Sequence, residues 1–277
     1  MTDLVFEKGT LYIVGTPIGN LSDLSPRAAE VFENVDFIAA EDTRVTLKLL
    51  NTLGIKKPLV SYYEHNEASR ASEIVERLKK GEICALVSDA GMPLISDPGG
   101  EIVALCEKEN VPVRVVPGPC ALIAALALSG IDTGRFSFEG FLSVNSKRRK
   151  EHLDEVKNDR RTLVFYEAPH KLCKTLSDML AAFGDRRISL SRELTKLHEE
   201  TLRMTLSEAV AYYRDVTPKG EFVIVIEGAS EVVAVCEDPE TVMRELLAKG
   251  MSKTEAAKET AKRTGIPKSE AYKLAVK

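Results

Sequence analysis

Apolar runs of strand length alternate with stretches of helical spacing through the first half of the chain, and these runs fall at 11–14, 37–40, 59–62, 83–87 and 113–116. Between them the helix signals are local and physical. Ser25 before Pro26 pairs a hydroxyl N-cap with a residue whose fixed φ suits a first helical position, and Gly54 and Gly81 stand where helices should stop. Alternation with short connections predicts a mostly parallel sheet covered by helices. After residue 118 the pattern restarts, with strands predicted at 136–141, 162–166, 188–191, 202–206 and 222–227 and helices near 147–156, 171–183 and 207–213. Strands that follow one another late in this half predict a mixed sheet. The boundary is placed in the Pro117-Gly118-Pro119 loop, giving α/β domains over 1–118 and 119–229, with a 121–128 helix opening the second.

Residues 230–277 change character. Helical spacing at 240–247, 253–263 and 269–276, broken by Thr264-Gly265-Ile266-Pro267, predicts a small helical unit of helix-turn-helix type. From Lys249 to Lys277 eight Lys/Arg stand against three Asp/Glu, a local +5 in a chain of net charge −4. That asymmetry fits an RNA-gripping appendage, and equally a solvated helical cap. A second basic cluster is Lys147-Arg148-Arg149-Lys150.

At 277 residues the chain can bury substantial cores. Its five cysteines, Cys84, Cys106, Cys120, Cys173 and Cys236, are odd in number, far apart and without a C-x-x-C pair. That pattern fits a reducing compartment and argues against a disulfide framework or structural zinc. The N-terminus lacks a signal-peptide pattern and the longest apolar stretch, near 121–128, is too short to span a bilayer, so the expected location is cytoplasmic with no membrane partner.

Candidate chemistry gathers in three loops rich in glycine and proline: Gly15-Thr16-Pro17-Ile18-Gly19-Asn20, Ser88-Asp89 through Gly99, and Val116-Pro117-Gly118-Pro119-Cys120-Ala121. Each follows a predicted strand, and a helix is expected from about Asp97-Pro98. Open α/β sheets place ligands outside the carboxyl ends of their strands, so the loops predict a small-molecule site in an interdomain cleft. G-x-x-x-x-G-K-[ST], G-x-G-x-x-G and G-x-S-x-G are all missing, and His65, His152, His170 and His198 lack metal-ligand spacing, so no metal is expected.

The motifs GTLYIVGTPIGNLSDLSPRA, FIAAEDTR, LVSDAGMPLISDPG, VPGPCA, LVFYEAPHKL and GEFVIVIEG, in this order, closely resemble the small-subunit ribosomal RNA cytidine 2′-O-methyltransferases of the tetrapyrrole methylase superfamily. The resemblance covers about Thr10 to Gly228, and the basic terminal unit is similar to that family's small terminal domain. It implies a two-domain class III methyltransferase fold, not Rossmann, with S-adenosylmethionine between the domains. It also implies 16S ribosomal RNA or the small ribosomal subunit as partner, and a homodimer.

By position in the matching motifs, Pro17, Val87, Asp89, Met92 and Leu94 are expected at the cofactor from the first domain, with Cys120 and Ala121 after the Pro-Gly turn. The wider family often carries Ser or Thr at the place of Cys120, so a side-chain hydrogen bond is in doubt there. Tyr166, Glu167 and Leu194 are expected to close the pocket from the second domain. A ribose hydroxyl is a weak nucleophile, so a base or a cation that stabilises the forming alkoxide is required. Arg44, His65, Arg192 and Lys196 are candidates for holding substrate; Glu193, Lys196 and Arg44 are the catalytic candidates, with Glu193 as base and Glu41 and His65 as other possible proton acceptors. Two other functions remain open from sequence: methylation of a tetrapyrrole precursor, and a non-catalytic nucleic-acid-binding protein that senses S-adenosylmethionine.

Overall fold

The computed structural model describes residues 6–230 and 238–275. Cys236, Val276 and Lys277, which enter the sequence expectations, lie outside the described residues. The chain divides into a unit ending at Ala229 and a second beginning at Ser230.

The first sheet contains β1 (Leu11–Val14), β2 (Phe37–Ala40), β3 (Leu59–Ser61), β4 (Cys84–Val87) and β5 (Val113–Val116), all parallel, in the order β3-β2-β4-β1-β5. β2 and β4 are buried throughout, as expected for parallel strands covered on both faces. On one face α1 (Pro26–Asn34) is capped by Ser25, whose side chain accepts the Ala28 N–H. It buries Ala28, Val31 and Phe32 at helical spacing, and full burial of each large side chain is worth about 1.5–3 kcal/mol. α2 (Thr43–Leu53) starts at Asp42 and ends at Gly54, whose φ of 72° suits a residue without Cβ. α3 (Glu67–Lys79) and α4 (Gly100–Lys108) bury Ile74, Leu78, Ile102 and Cys106 in the core of the opposite face.

α4 begins later than the expected Asp97-Pro98 start. Leu94, Ser96 and Gly99 take φ values of 73°, 67° and 141°, which no right-handed helix accommodates. Gly81 lies just beyond the α3 cap at Lys80, with φ of 94°.

α5 (Ala121–Ser129) packs on the second sheet, through Leu122, Ala125 and Leu126 against Val164, Val223 and Val225. That sheet is formed by β6 (Phe136–Phe141), β7 (Thr162–Glu167), β8 (Arg187–Arg192), β9 (Glu200–Thr205) and β10 (Phe222–Ile226), in the order β6-β7-β10-β8-β9. Only β6 and β7 are parallel; the other pairings are antiparallel, so the sheet is mixed as expected. α6 (Ser146–Val156), α7 (Pro169–Phe183) and α8 (Leu206–Asp215) cover its other face around Phe165, Leu172 and Leu176.

The terminal unit holds α9 (Pro239–Ala248), α10 (Lys253–Thr264) and α11 (Lys268–Leu274) around its own core of Val242, Met243, Leu246, Ala256, Ala257 and Ala271. Ser252 and Glu255 form a reciprocal cap on α10, and Gly265 ends it at φ 77°. Among the described residues no helix is long and apolar enough to cross a membrane.

Candidate active site

The order of the first sheet decides where a ligand can enter. From β1 the chain crosses β4 to reach β2, whereas from β4 it crosses β1 to reach β5. The connections leave the adjacent strands β1 and β4 in opposite directions, and the crevice at such a switch point is where open α/β sheets bind ligands. Here the loops that follow β1 and β4 are tied to each other: Thr16 N–H donates to Gly91 O at 2.8 Å and Gly91 N–H returns to Thr16 O at 3.1 Å. The loop after β5 joins them by backbone contact. A Cβ on Gly15 would lie 2.7 Å from both Gly118 Cα and Met92 Sδ, so the three loops converge only because two of them carry glycine here.

A cleft of about 240 Å³ opens between these loops and the ends of the second sheet. Its far wall comes from β6, β7 and β10 through Phe141, Tyr166, Glu167, Phe222 and Val223. Tyr166 Oη accepts the Leu122 N–H at 3.0 Å, satisfying an orphan donor in the first turn of α5. Its ring meets Phe138 and Phe141 edge-on with centroids 4.9 and 5.6 Å apart, and burial pushes its hydroxyl well above the usual range, so it stays protonated. Glu167, 1% exposed, is held by Thr175 Oγ1 at 2.5 Å, the Ala168 N–H at 2.8 Å and Lys171 Nζ at 2.9 Å.

The turn between β8 and β9 completes this wall with Glu193, Leu194 and Lys196. Glu193 and Thr195 have φ of 50° and 65°, a conformation costing a non-glycine residue about 1 kcal/mol or more. Lys196 Nζ pairs with Glu193 Oε1 at 3.0 Å. The pair fits because glycines face it: a Cβ on Gly19 would fall 2.4 Å from Lys196 Cγ, and one on Gly220 2.5 Å from Glu193 Oε1. Strained positions therefore flank the cleft on both sides, Leu94 and Ser96 in one loop and Glu193 and Thr195 in the other.

Electrostatically the near wall is acidic. Glu41, Asp89 and Asp97 all line the cleft. Asp42 N–H donates to Asp89 Oδ1 at 3.0 Å, and Asp89 N–H to Glu41 Oε2 at 3.3 Å, which fixes the two carboxylates relative to each other. Burial raises the pKa of Glu41 and Asp89, with neighbouring carboxylates adding to the rise. Asp97 is pushed up to about 6, chiefly by burial. Asp42, outside the cleft, is lowered to about 2 by its hydrogen bonds with Arg44.

The cleft thus brings together Asp89, Met92, Cys120, Ala121, Tyr166, Glu167, Glu193, Leu194 and Lys196 from the expected set. Six other expected residues do not line this cleft. Val87 is 2% exposed and packs into the sheet core, because a strand buried on both faces has no side chain to spare. Leu94 folds back onto the core at Gly99 and Leu86. Pro17 borders a separate cavity. Arg44 projects outward, its side chain 86% exposed and paired with Asp42 at 2.5 Å. His65 stands outside the cleft beside the Tyr63 ring, and Arg192, also outside it, is tied to Glu200 at 2.7 Å across β8 and β9. Cys120 caps α5 without a side-chain cap bond, and the Leu122 amide is met by Tyr166 instead.

Asp97, Phe141, Glu221 and Phe222 were not anticipated from sequence. Asp97 was read as part of a helix start, and its signal was the Ser-Asp pair repeated within a single loop, at Ser88-Asp89 and Ser96-Asp97. Phe141 and Phe222 lie at strand ends on one edge of the second sheet, a position that only the pairing reveals.

Acidic, apolar and glycine-lined surfaces fit the parts of S-adenosylmethionine. Carboxylates suit its ammonium and sulfonium charges, and Ile18, Met92, Leu194 and Phe222 offer an apolar slot for the adenine. Gly91, at φ 88°, leaves space that a Cβ would crowd against Ile18 and the Pro119 carbonyl.

Comparison with known proteins places the chain in a family. The family model described as Tetrapyrrole (Corrin/Porphyrin) Methylases matches residues 10–210, and one described as RsmI C-terminal HTH domain matches 234–277. The chain is 46% identical to Ribosomal RNA small subunit methyltransferase I of Synechocystis sp., covering 97% of this chain and 98% of that protein. It is 48% identical to the protein of the same name from Thermotoga maritima, where 79% of this chain covers 99% of the relative. Among solved structures, diphthine synthase superposes with TM-score 0.59 at 15% identity over 79% of this chain and 89% of that one, and uroporphyrin-III-C-methyltransferase from Thermus thermophilus with TM-score 0.57 at 19% identity over 79% and 94%. At those identities the likeness speaks for the fold alone. Fold, cleft and relatives converge: the chain is a methyltransferase of the tetrapyrrole methylase family, in the branch of the small-subunit ribosomal RNA methyltransferases I.

Proposed function

We propose that this protein uses S-adenosylmethionine to methylate the 2′-oxygen of a cytidine in the decoding region of 16S ribosomal RNA. The observation that carries this is the acidic, glycine-lined cleft at the switch point, in a chain whose long relatives bear the name of a small-subunit ribosomal RNA methyltransferase. The cofactor supplies a methyl group already activated on a sulfonium. What the protein must add is alignment, exclusion of water and a destination for the hydroxyl proton.

Asp89, Asp97 and Glu41 would hold the cationic end of the cofactor, with Met92, Cys120, Ala121, Leu194 and Tyr166 around the remainder. Glu193 would accept the proton from the ribose hydroxyl, and Lys196, 3.0 Å from it, would stabilise the forming oxyanion and orient the sugar. Arg44, exposed at the start of α2, would grip RNA phosphate, together with the basic terminal unit. A homodimer has an apolar surface available in Val115, Ile123 and Leu128, which are 56%, 51% and 38% exposed on the edge strand β5 and on α5.

The test is incubation of the purified protein with labelled S-adenosylmethionine and either small subunits or protein-free 16S RNA, followed by nuclease digestion and mass spectrometry. One 2′-O-methylcytidine is expected. A methyl group on a base carbon or nitrogen would overturn the 2′-oxygen reading, and methylation of a tetrapyrrole in place of RNA would overturn the substrate.

A further inference from the structure

A second cavity of about 230 Å³ lies beside the cleft, and Asp89 lines both. Its floor is the backbone that follows β1 and β4, at Thr16 and Ser88, and its walls are mainly aliphatic, Pro17, Leu21, Val45 and Leu49, with Thr46 beside them. Val45 and Leu49 are one helical turn apart on α2, and Thr46 between them also borders the cavity, whereas Leu50 is buried in the core. Leu21 and Val45 remain 43% and 38% exposed. The helix thus turns apolar side chains toward an open space as well as toward the core.

The two cavities also meet across Gly19. Gly19 lines the second cavity, Lys196 lines the first, and the Lys196 stem lies where a Cβ on Gly19 would be. The junction between the cavities is therefore formed by Asp89 on one side and the Gly19–Lys196 contact on the other, with Glu193 paired to that lysine. Arg44, next to Val45 in the chain, has an exposed side chain that bonds Asp42 through Nε and Nη2.

We infer that the second cavity is the nucleoside subsite: it receives one nucleotide turned out of the RNA, its base between the aliphatic walls and its ribose at the junction with the cofactor cleft. This deepens the proposed function and rests on it. The chemistry favours a base over other occupants. A nucleobase presents apolar faces that a slot of Pro17, Leu21, Val45 and Leu49 can sandwich, and enzymes that act on one nucleotide commonly take it out of the stack into such a pocket. The sugar bears the phosphates, so a base held in the slot leaves its backbone at the mouth, within reach of the exposed Arg44 that precedes Val45. Only the ribose then needs to reach the junction, which is where methyl transfer to a 2′-oxygen requires it.

Val45→Trp and Leu21→Trp, both at partly exposed positions, fill the slot without touching the cofactor cleft. For each variant S-adenosylmethionine affinity is measured by calorimetry, and methylation of small-subunit RNA under single-turnover conditions. The expected result is affinity within about twofold of wild type and methylation lowered on the order of a hundredfold. A short RNA with 2-aminopurine beside the methylated nucleotide should brighten on binding the wild-type protein, as the stack opens, and stay dim with Val45→Trp. Wild-type rates in both tryptophan variants would overturn the subsite, as would equal loss of cofactor affinity and methylation. If the wild-type protein itself neither bound S-adenosylmethionine nor methylated RNA, the proposed function would fall, and the subsite with it.

Discussion

The two walls of the cleft are built from different materials. The first sheet contributes converging backbone, loops after β1, β4 and β5 that approach within contact distance through Gly15, Gly91 and Gly118, and sets the carboxylates of Glu41, Asp89 and Asp97 on it. The second contributes side chains from the ends of β6, β7 and β10 and from the strained turn after β8. A parallel sheet presents all its carboxyl ends on one edge, so its loops can cradle a ligand together. A mixed sheet presents starts and ends alternately, and it reaches the ligand with individual residues. The division suggests a division of labour, with cofactor shape set by the first wall and reactive groups brought by the second.

The sharpest way to break this comparison is Glu193→Gln. If the second wall carries the reactive carboxylate, turnover should fall by about two to four orders of magnitude while S-adenosylmethionine affinity stays within a few-fold, as rapid-quench kinetics and calorimetry would show. Full turnover in the Gln variant would remove the base and return Glu193 to a partner for Lys196.

Next in size is Gly118→Ala. The added Cβ would meet Gly15 Cα, C and O at 2.8–2.9 Å, all backbone atoms that cannot swing away. Denaturant unfolding should show a loss of about 3 kcal/mol, with cofactor affinity lost in the same variant. Gly54→Ala is the control for added bulk: nothing lies within 4 Å there, and only the φ of 72° opposes it, so stability should fall by about 1 kcal/mol with cofactor binding intact.

These contrasts track what could be read from the sequence. Loop positions were legible because glycine and proline are needed where backbones converge, and Pro17-Ile18-Gly19 and Pro117-Gly118-Pro119 declare that need in the chain itself. Strand positions were legible for the same local reason, to within a residue or two at the ends. The second wall was legible only in part. Tyr166, Glu167 and Leu194 came from resemblance, whereas Phe141 and Phe222 become neighbours through pairing of β6, β7 and β10. Val87 and Leu94 turn their side chains into the core, because a motif marks a segment and burial decides which of its side chains face the cleft.

A smaller effect concerns charge on the first wall. Asp97 has its pKa raised to about 6 from an ordinary 3.8, so the folded state favours its protonated form. Its contribution to stability is therefore full below about pH 3.8 and is lost as pH rises through 6. Asp97→Asn should stabilise the protein by about 1–2 kcal/mol at pH 7.5 and leave it unchanged near pH 3.5, if thermal unfolding is followed at both. An equal effect at the two pH values would show that the buried charge is not the cause.

The smallest expected effect is on RNA affinity. Removing residues 230–277 takes away a unit with its own core and its local positive charge, so binding to small-subunit RNA should weaken by roughly tenfold at moderate salt, with a shallower salt dependence. Cofactor affinity should be retained. The Thermotoga maritima relative, matched over 99% of its length by 79% of this chain, shows that a protein of the same name is accommodated in a shorter chain.

The central claim, that the switch-point cleft is the cofactor site, is tested most directly by calorimetry of S-adenosylmethionine on the wild-type protein and on Asp89→Arg. Asp89 lies at the common wall of both cavities, with Oδ1 fixed by the Asp42 amide. Reversing its charge beside a cationic ligand should weaken binding on the order of a hundredfold in a protein that still unfolds cooperatively. Unchanged affinity in the folded variant would contradict the account and move the cofactor elsewhere.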